Sequence, residues 1–470
     1  MKKGCLFILL GFAFSCFAQA QYIYEVPEYK PAPGQHINAA PWGLPGSAYS
    51  IIGTVNGSLS LGAYGGYIVF RFENPVENHP DNPFGVDFSI FGNPVPGASE
   101  PGIVYVMKDE NGNGLPDDSW YVLAGSDHWF SSTILDYRVT YINPQQDTAT
   151  DVPWNDNMGN SGFIFANSIH TQPYYPLADS FPEIGADQYL LSGIHIMPVI
   201  DTSDPAFVKS AQRAFGYADN RLRGSAPYTV PDNPYTLEKE NSGGDAFDIG
   251  WAIDSSGNYV DLDEIHFVKV QTGVMDNAGW LGEISTEITG AADVAPDPGI
   301  TGVLDMLVIK DMPVVIDTMH YQLEVFAFHV GRLMPQAEII WETNMSEATI
   351  NEDNLLTVTS SGELEITVSL ADHPDINAIA SCTVELPAIL HEDKVRHDIR
   401  VFPNPAGDNL HLCGADKVRL EFFNVSGESM LVVDNYAENE SLDLSGLIPG
   451  LYLLHISANG HSAVIKLIKQ

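Results

Sequence analysis

Apolar and polar positions alternate with a period of two from Gln21 to about Pro298, and helical spacing is almost absent. Tyr67-Ile-Val-Phe-Arg-Phe72, Val86-Asp-Phe-Ser-Ile-Phe91 and Ile103-Val-Tyr-Val-Met107 read as strands bounded by Gly, Pro or Asn. Tyr137 to Ile142, Tyr189 to Ile200 and Ile265 to Val270 follow the same pattern, and Glu283-Ile-Ser-Thr-Glu287 completes the expected sheet. The stretch Thr148 to Gln188 is aromatic and irregular, with Trp154, Phe163, Phe165, Tyr174 and Tyr175. Many short strands separated by turn residues predict a β-sandwich.

The pattern changes at residue 301. Leu323 to His329, Ala337 to Asn344, Leu355 to Val358, Leu364 to Leu370 and Ala380 to Leu386 read as strands of a small sandwich. Trp341 is expected on a central strand, buried against the facing sheet. A linker, Pro387 to Arg396, leads to a last set of strands ending at Lys469. The expected fold class is therefore all-β, with a large sandwich at residues 21–298 and smaller ones at 301–388 and 397–470. A chain of 470 residues has room for two to four such domains.

Composition supports this reading: Gly 41 and Pro 31 beside 44% hydrophobic residues suit a turn-rich β protein. A formal net charge of −40 argues against nucleic acid and anionic membranes as partners and favours cations. Residues 1–20 read as a signal peptide, with Lys2 and Lys3, an apolar run Cys5 to Phe17, and Ala18-Gln19-Ala20 as the cleavage site. Cys16 is a poor lipidation candidate because Ala13-Phe14-Ser15 precedes it. Cys382 and Cys413 then remain, and both fit small core positions better than a bridge. No later apolar run reaches the 18 or so residues of a transmembrane helix.

Candidate chemistry concentrates between Ser99 and Tyr121. After the strand, Asp109, Asn111 and Asn113 alternate with Gly112 and Gly114, and Asp117 and Asp118 close the turn. Calcium takes six to eight oxygens, and counting from Asp109 the positions 1, 3, 5 and 9 match an EF-hand-like loop, with the Leu115 carbonyl at position 7. Position 12 departs from it, being Trp120 instead of a bidentate Glu. The expected metal set is Asp109, Asn111, Asn113, Leu115, Asp117 and Asp118, holding Ca2+; the alternative is a solvated Asx/Gly turn. Asp245 and Asp248 are either further cation ligands or caps of a turn. Trp120, Tyr121, Trp129 and Trp154 are candidate platforms for the flat face of a sugar ring, against core packing as the alternative for each. Arg213, Arg221 and Arg223 form an uncommon concentration of cations. Gly-x-Ser-x-Gly, His-Glu-x-x-His and Cys-x-x-Cys are all missing, so catalysis finds little support.

Three stretches resemble known families. Gly65-Gly66-Tyr-Ile-Val-Phe, Val86-Asp87-Phe-Ser-Ile-Phe-Gly-Asn93, Glu100-Pro-Gly-Ile-Val-Tyr-Val, Gly244-Asp245-Ala-Phe-Asp248 and His266-Phe-Val-Lys-Val resemble secreted bacterial cell-surface modules. These are similar to jelly-roll sandwiches of the carbohydrate-binding type. The order Ile339-Ile-Trp-Glu-Thr-Asn344, Gly362-Glu-Leu-Glu-Ile-Thr-Val368, Cys382-Thr-Val384 is similar to bacterial Ig-like domains of group 2. The tail carries Phe402-Pro403-Asn404-Pro405 and Leu447-Ile-Pro449-Gly450-Leu-Tyr452, and resembles the type A C-terminal sorting domain of type IX secretion. The resemblance implies the type IX secretion machinery as a partner and passage through the periplasm to the outer surface or the medium. The expected function is binding of an extracellular glycan or small nutrient. A glycan hydrolase, a structural adhesion protein and an accessory of outer-membrane corrinoid uptake are the alternatives.

Overall fold

In an extended chain successive side chains point to opposite faces, so a strand with two apolar parities is covered on both sides. That is the case for the largest sheet. Its strands are β1 (Glu25–Lys30), β2 (Tyr67–Arg71), β3 (Gly102–Met107), β4 (Trp120–Leu123), β5 (Ala252–Ile253) and β6 (Phe267–Thr272). They lie in the order β1-β2-β6-β3-β4-β5, all antiparallel. In this computed structural model the described residues are 21–204, 207–225, 228, 230–279, 282–386, 399–414, 417–438, 440–458 and 461–470. The expected signal segment 1–20 and the linker Pro387 to Arg396 lie outside them. The chain divides into two units, Met1–Glu385 and Leu386–Gln470.

One face of the sheet carries Ile68, Phe70, Val104, Val106, Leu123, Val268 and Val270, all in one buried cluster. Facing them is a three-stranded sheet of Asp245–Phe247, Phe88–Phe91 and Gly290–Asp293, whose Phe88 and Phe247 stack with ring centroids 5.4 Å apart. Burying each such side chain is worth about 1.5–3 kcal/mol, so this layer pair fixes the register of every strand in it. The chain is a β-sandwich, as the alternation predicts.

The irregular aromatic stretch forms its own layer. Ser161–Ile164, Val152–Asp156, Ile134–Ile142 and Gln188–His195 make a four-stranded antiparallel sheet over a core rich in tyrosine. Burying tyrosine requires a partner for each hydroxyl. Tyr64 donates to the Tyr137 carbonyl (3.1 Å), Tyr141 to Tyr64 (2.8 Å) and Tyr189 to Pro31 (2.9 Å).

Residues 305–384 add three small sheets. Asp305–Ile309 pairs with Val325–His329, and the two faces of that pair serve different cores. Leu307 and Ala327 face Val368 and Leu370, whereas Val308 and Phe328 belong to the buried cluster of the large sandwich. Phe328 is fully buried and meets the ring of Phe215 at 5.1 Å, and Trp251 donates from Nε1 to the Val330 carbonyl at 2.9 Å. The expected boundary between 298 and 301 is thus crossed by shared packing. Trp341 departs from expectation: its strand, Ile339–Thr343, is the edge of the sheet and the ring is half-buried. Its Nε1 donates to Asn354 Oδ1 at 3.0 Å.

The second unit is a small sandwich by itself. Arg400–Phe402, Asn409–Cys413 and Leu442–Asp443 form one sheet, and Ser429–Tyr436, Val418–Phe423, Gly450–Ala458 and His461–Lys469 the other. Leu410, Leu420, Phe422, Leu454 and Leu467 fill the space between them. Cys382 and Cys413 are both free thiols, the first buried and the second half-buried.

The large sandwich also buries carboxylates. Glu100, Asp219 and Glu287 each bring an oxygen within 4.8 Å of the others. Their donors are Ser285 N–H to Glu100 (3.0 Å), Asn93 and Glu287 N–H to Asp219 (2.9 and 2.8 Å), and Ser285 Oγ to Glu287 (2.9 Å). Burial, reinforced by the like charge of neighbouring acids, pushes Glu100 and Glu283 up to about 8, and burial pushes Asp245 up to about 7. Folded values above the unfolded ones mean that the native state holds extra protons between about pH 4 and 8, so stability falls as pH rises through that window. The melting temperature in metal-free buffer is therefore expected to fall from pH 5 to pH 8, with a shallower slope for Glu283→Gln; a rise over that range would contradict protonated carboxyls. Shared packing gives a second expectation. Phe328→Ala should cost about 3–5 kcal/mol and lower a single calorimetric transition for residues 21–385, whereas two separate transitions in the parent chain would show independent domains.

Candidate ligand-binding site

The other face of the six-stranded sheet is built differently. Val69, Lys269, Tyr105, Val122 and Ile253 stand directly opposite one another across β2, β6, β3, β4 and β5, and so share that face. Two residues along each strand, Tyr67, Gln271 and Trp120 share it too. Tyr105, Trp120, Val122, Lys269 and Gln271 line a cleft of about 870 Å³, walled on its far side by Trp129, the Ser192–Gly193–Ile194 edge of the four-stranded sheet and the turn at Asp254–Gly257.

Trp120 and Trp129, two of the four aromatics expected from the sequence, both line one cleft, while Trp129 also packs on the sandwich core and Trp120 on the cluster of Val69, Met107 and Phe267. Tyr121, one residue beyond Trp120, points to the opposite face and packs on the core. Trp154 lies elsewhere: it packs on the tyrosine-rich core, and its ring lies against the backbone of Gly162, where an added Cβ would stand 2.7 Å away. Tyr121 and Trp154 serve packing, the alternative weighed for each.

Three lining residues did not stand out in sequence as site residues. Tyr105 donates weakly to Gln271 Oε1 (3.5 Å) and accepts from the Ile194 N–H (3.3 Å). Gln271 donates to the carbonyls of Gly65 (2.8 Å) and Ser192 (3.1 Å), tying the two sheets together at the cleft floor. The Lys269 Nζ lies 4.3 Å from the ring centroid of Tyr67 and 5.2 Å from that of Tyr105. Burial lowers its pKa to about 8. The available signal was parity: in Ile103-Val-Tyr-Val-Met and Phe267-Val-Lys-Val-Gln, the amphipathic or polar residues fall on one face only.

The Asp109–Asp118 loop joins β3 to β4, directly beyond the cleft. Gly112 and Gly114 have φ of 70° and 74°, which lets the loop curl back. Asp109 accepts the N–H groups of Asn113 (3.1 Å) and Gly114 (2.8 Å), and the latter bond leads in holding its carboxyl below the usual range. Asn111 Oδ1 accepts from Asn113 N–H (3.0 Å), and Asn113 Oδ1 from Leu115 N–H (2.8 Å). The amides of Asn111 and Asn113 both donate to Asp117 Oδ1 at 3.2 Å, while Asp118 accepts the Glu110 N–H at 3.0 Å and closes the loop mouth. The side chains of Asp109, Asn111, Asn113 and Asp117 thus gather in one exposed ring, with Leu115 pointing outward. Such a ring can fold on its own hydrogen bonds or exchange them for a hard cation.

Other candidates have structural roles. Asp248 accepts the Gly250 N–H (2.6 Å) as the cap of a short 3-10 turn, and Asp245 accepts the N–H groups of Asn220 and Arg221 (3.0 and 2.9 Å). Arg221 is spent on the carbonyls of Asn233, Ala214 and Pro234. Arg213, buried, pairs with Asp127 (3.2 Å) and Asp311 (3.5 Å) beside a second cavity of about 760 Å³. That cavity's lysines are also paired, Lys209 with Asp201 and Lys310 with Glu324, which makes it a weaker candidate for a ligand.

In the tail, Asn404 Nδ2 donates to the Lys466 carbonyl (2.7 Å) and Asn404 Oδ1 accepts the Ile468 N–H (3.0 Å), stitching the Phe402-Pro403-Asn404-Pro405 turn to the last strand. Phe402 is 46% exposed and stacks on His411 at 5.8 Å. Pro449 and Gly450 are exposed where the final hairpin begins.

Among solved structures, the S-layer protein rSbsC is 11% identical, with 87% of this chain and 53% of that chain covered at a TM-score of 0.18. PorZ, a surface component of the type IX secretion system of Porphyromonas gingivalis, is 10% identical, with 86% and 43% covered and a TM-score of 0.15. The titin Ig tandem A164-A165 is 11% identical, with 33% and 90% covered and a TM-score of 0.11. The chain spans about half the length of the S-layer protein, and likenesses this slight carry no argument about function. No curated protein matches the chain. No helix among the described residues is long and apolar enough to cross a membrane. Residues 400–470 match the family of the secretion system C-terminal sorting domain; the tail is thus an address read by type IX secretion, and the protein is exported to the cell surface or the medium.

Proposed function

We propose that this exported protein binds an extracellular glycan in the cleft on the second face of its six-stranded sheet, and that calcium held in the β3–β4 loop stiffens the strands presenting the binding residues. The observation that carries the reading is the meeting of Trp120, Tyr105 and Trp129 in one 870 Å³ cleft beside hydrogen-bonding groups. A sugar ring offers a flat C–H face and a rim of hydroxyls, so it needs an aromatic wall and nearby polar atoms together. The kinship of the first sandwich to jelly-roll carbohydrate-binding modules, and of residues 301–388 to group 2 bacterial Ig-like domains, belongs to the same reading. Residues 1–20 serve as the signal into the periplasm.

Calcium enters through connectivity. Asp109, Asn111, Asn113, Asp117 and the Leu115 carbonyl supply its oxygens, and Asp118 holds the mouth of the loop. The loop's two ends are β3, with Tyr105, and β4, with Trp120. An ion there neutralises carboxylates crowded into a short turn and fixes the separation of the two strands. The hydrolase reading gains less, because Asp254 at the cleft is tied into its own turn and held below the usual carboxylate range, chiefly by the Asn258 N–H. A general acid needs the opposite shift.

Three measurements test this. On a glycan array, Trp120→Ala should lose at least tenfold in affinity while Trp154→Phe does not; equal binding by parent and Trp120→Ala would refute the cleft. Calcium at a hundredfold above Kd adds about 2.7 kcal/mol to the folded state, so chelator should lower the melting temperature, magnesium should restore it poorly, and Asp109→Ala with Asp117→Ala should abolish the effect. Identical melting curves of the parent with and without calcium would leave only the solvated turn. Removing residues 399–470 should hold the protein in the periplasm; normal export of the shortened chain would contradict the address.

A further inference from the structure

The cleft contains one cation in an unusual state. Lys108, Lys209 and Lys310 each hold a carboxylate at 2.5, 3.5 and 2.5 Å. Lys269 makes no ion pair with any described residue, although the chain carries 61 acidic residues. Its ammonium is held between Tyr67 and Tyr105, with centroids 4.3 and 5.2 Å away, and it lines the cleft. Cation–π contacts recover part of the hydration that such a group loses, but an unpaired, half-desolvated ammonium remains a strong binding site for an anion.

The neighbouring acids do not fill that role. Glu28 shares the face, across from Val69, and its charge favours the ammonium from beyond ion-pair distance, opposed by Lys30, while its carboxylate accepts the Tyr67 hydroxyl at 2.5 Å. The two carboxylates that line the same cleft are already engaged. Asp254 accepts the N–H groups of Ser256 (2.8 Å) and Asn258 (2.9 Å), and Asp136 lies 3.5 Å from Arg138. The cleft therefore presents an aromatic wall at Trp120 and a single unpaired positive charge two strands away on the same face.

We propose that the ligand is an anionic glycan, and that Lys269 reads a carboxylate or sulfate on a sugar whose ring stacks on Trp120. This rests on the glycan reading above and narrows it to acidic sugars. Loss of the anion's own hydration is offset because the ammonium is already stripped of part of its water, so discrimination against a neutral sugar is larger here than for a fully hydrated surface lysine. The lowered pKa of Lys269 agrees with that stripped state.

The test is calorimetric titration of the full mature chain with three probes of equal length: oligogalacturonate, sulfated carrageenan oligomers and neutral cello-oligosaccharide. At least one acidic probe should bind ten or more times tighter than the neutral one, and the stronger of the two identifies the anion. Lys269→Gln should bring that probe down to the neutral level, Lys269→Arg should keep most of the preference, and Trp120→Ala should weaken acidic and neutral probes alike. Lys269→Met, which keeps the stem packed between the tyrosines, replaces the Gln variant if melting curves show that Gln disturbs the fold. Equal affinities in the parent chain, or a preference unchanged in the Gln or Met variant, would overturn the role of Lys269 and leave glycan binding standing. Binding of none of the probes by the parent would overturn both.

Discussion

The architecture depends on one constraint, the alternation of side chains across a single antiparallel sheet. Strands β6, β3 and β4 each spend one parity on the sandwich core, and the other parity supplies the cleft lining at Lys269, Gln271, Tyr105, Trp120 and Val122. Because opposite residues in antiparallel strands share a face, a polar or aromatic residue at one register becomes part of a row. Val69, Lys269, Tyr105 and Val122 form such a row although Lys269 stands far from the other three in sequence. A slip by one residue in β6 would place a lysine in the core and a valine in the cleft. The core thus sets the geometry of the cleft from the opposite side of the sheet.

The same alternation explains what was legible in the sequence. Strand positions and the all-β class follow from local pattern and turn residues, and so does the address at residues 400–470. The division between Trp120 and Tyr121 was also available, since adjacent residues on a strand cannot both face a ligand, yet an aromatic count treats them as equals. Lys269 and Tyr105 were hidden for another reason: each lies inside an apolar run, and only the pairing of strands far apart in sequence puts them side by side. Trp341 shows the limit in a different way. A tryptophan in an apolar strand suggests a central position, but whether that strand is central or at the edge is decided by its neighbours, and here Ile339–Thr343 has only one.

Buried charge is the other feature that local pattern conceals. Asp219, Glu283, Glu287 and Asp245 sit in turns and strand ends where acidic residues are common, and nothing local says that they are inside. Asp219 and Asp245 are held by backbone N–H donors, whereas Glu283 receives one N–H and Glu287 the Ser285 hydroxyl. These groups link distant segments: Glu283 receives the N–H of Gln35, and Asp219 joins Asn93 to Glu287. In a sandwich assembled from many short strands, such cross-links position loops that no sheet holds.

The double allegiance of the strands Asp305–Ile309 and Val325–His329 bears on how such proteins are inherited. A module can be exchanged by recombination only where a cut severs chain but not core. A recombination point near residue 300 would strip Phe328 and Val308 from the large sandwich and expose its Phe215 and Trp251. By this criterion the unit that can be exchanged whole is the stretch up to Glu385, and the tail beyond it keeps a core of its own. Selection on the small sheets is then tied to selection on the cleft, and variation in one will be filtered by its fit to the other.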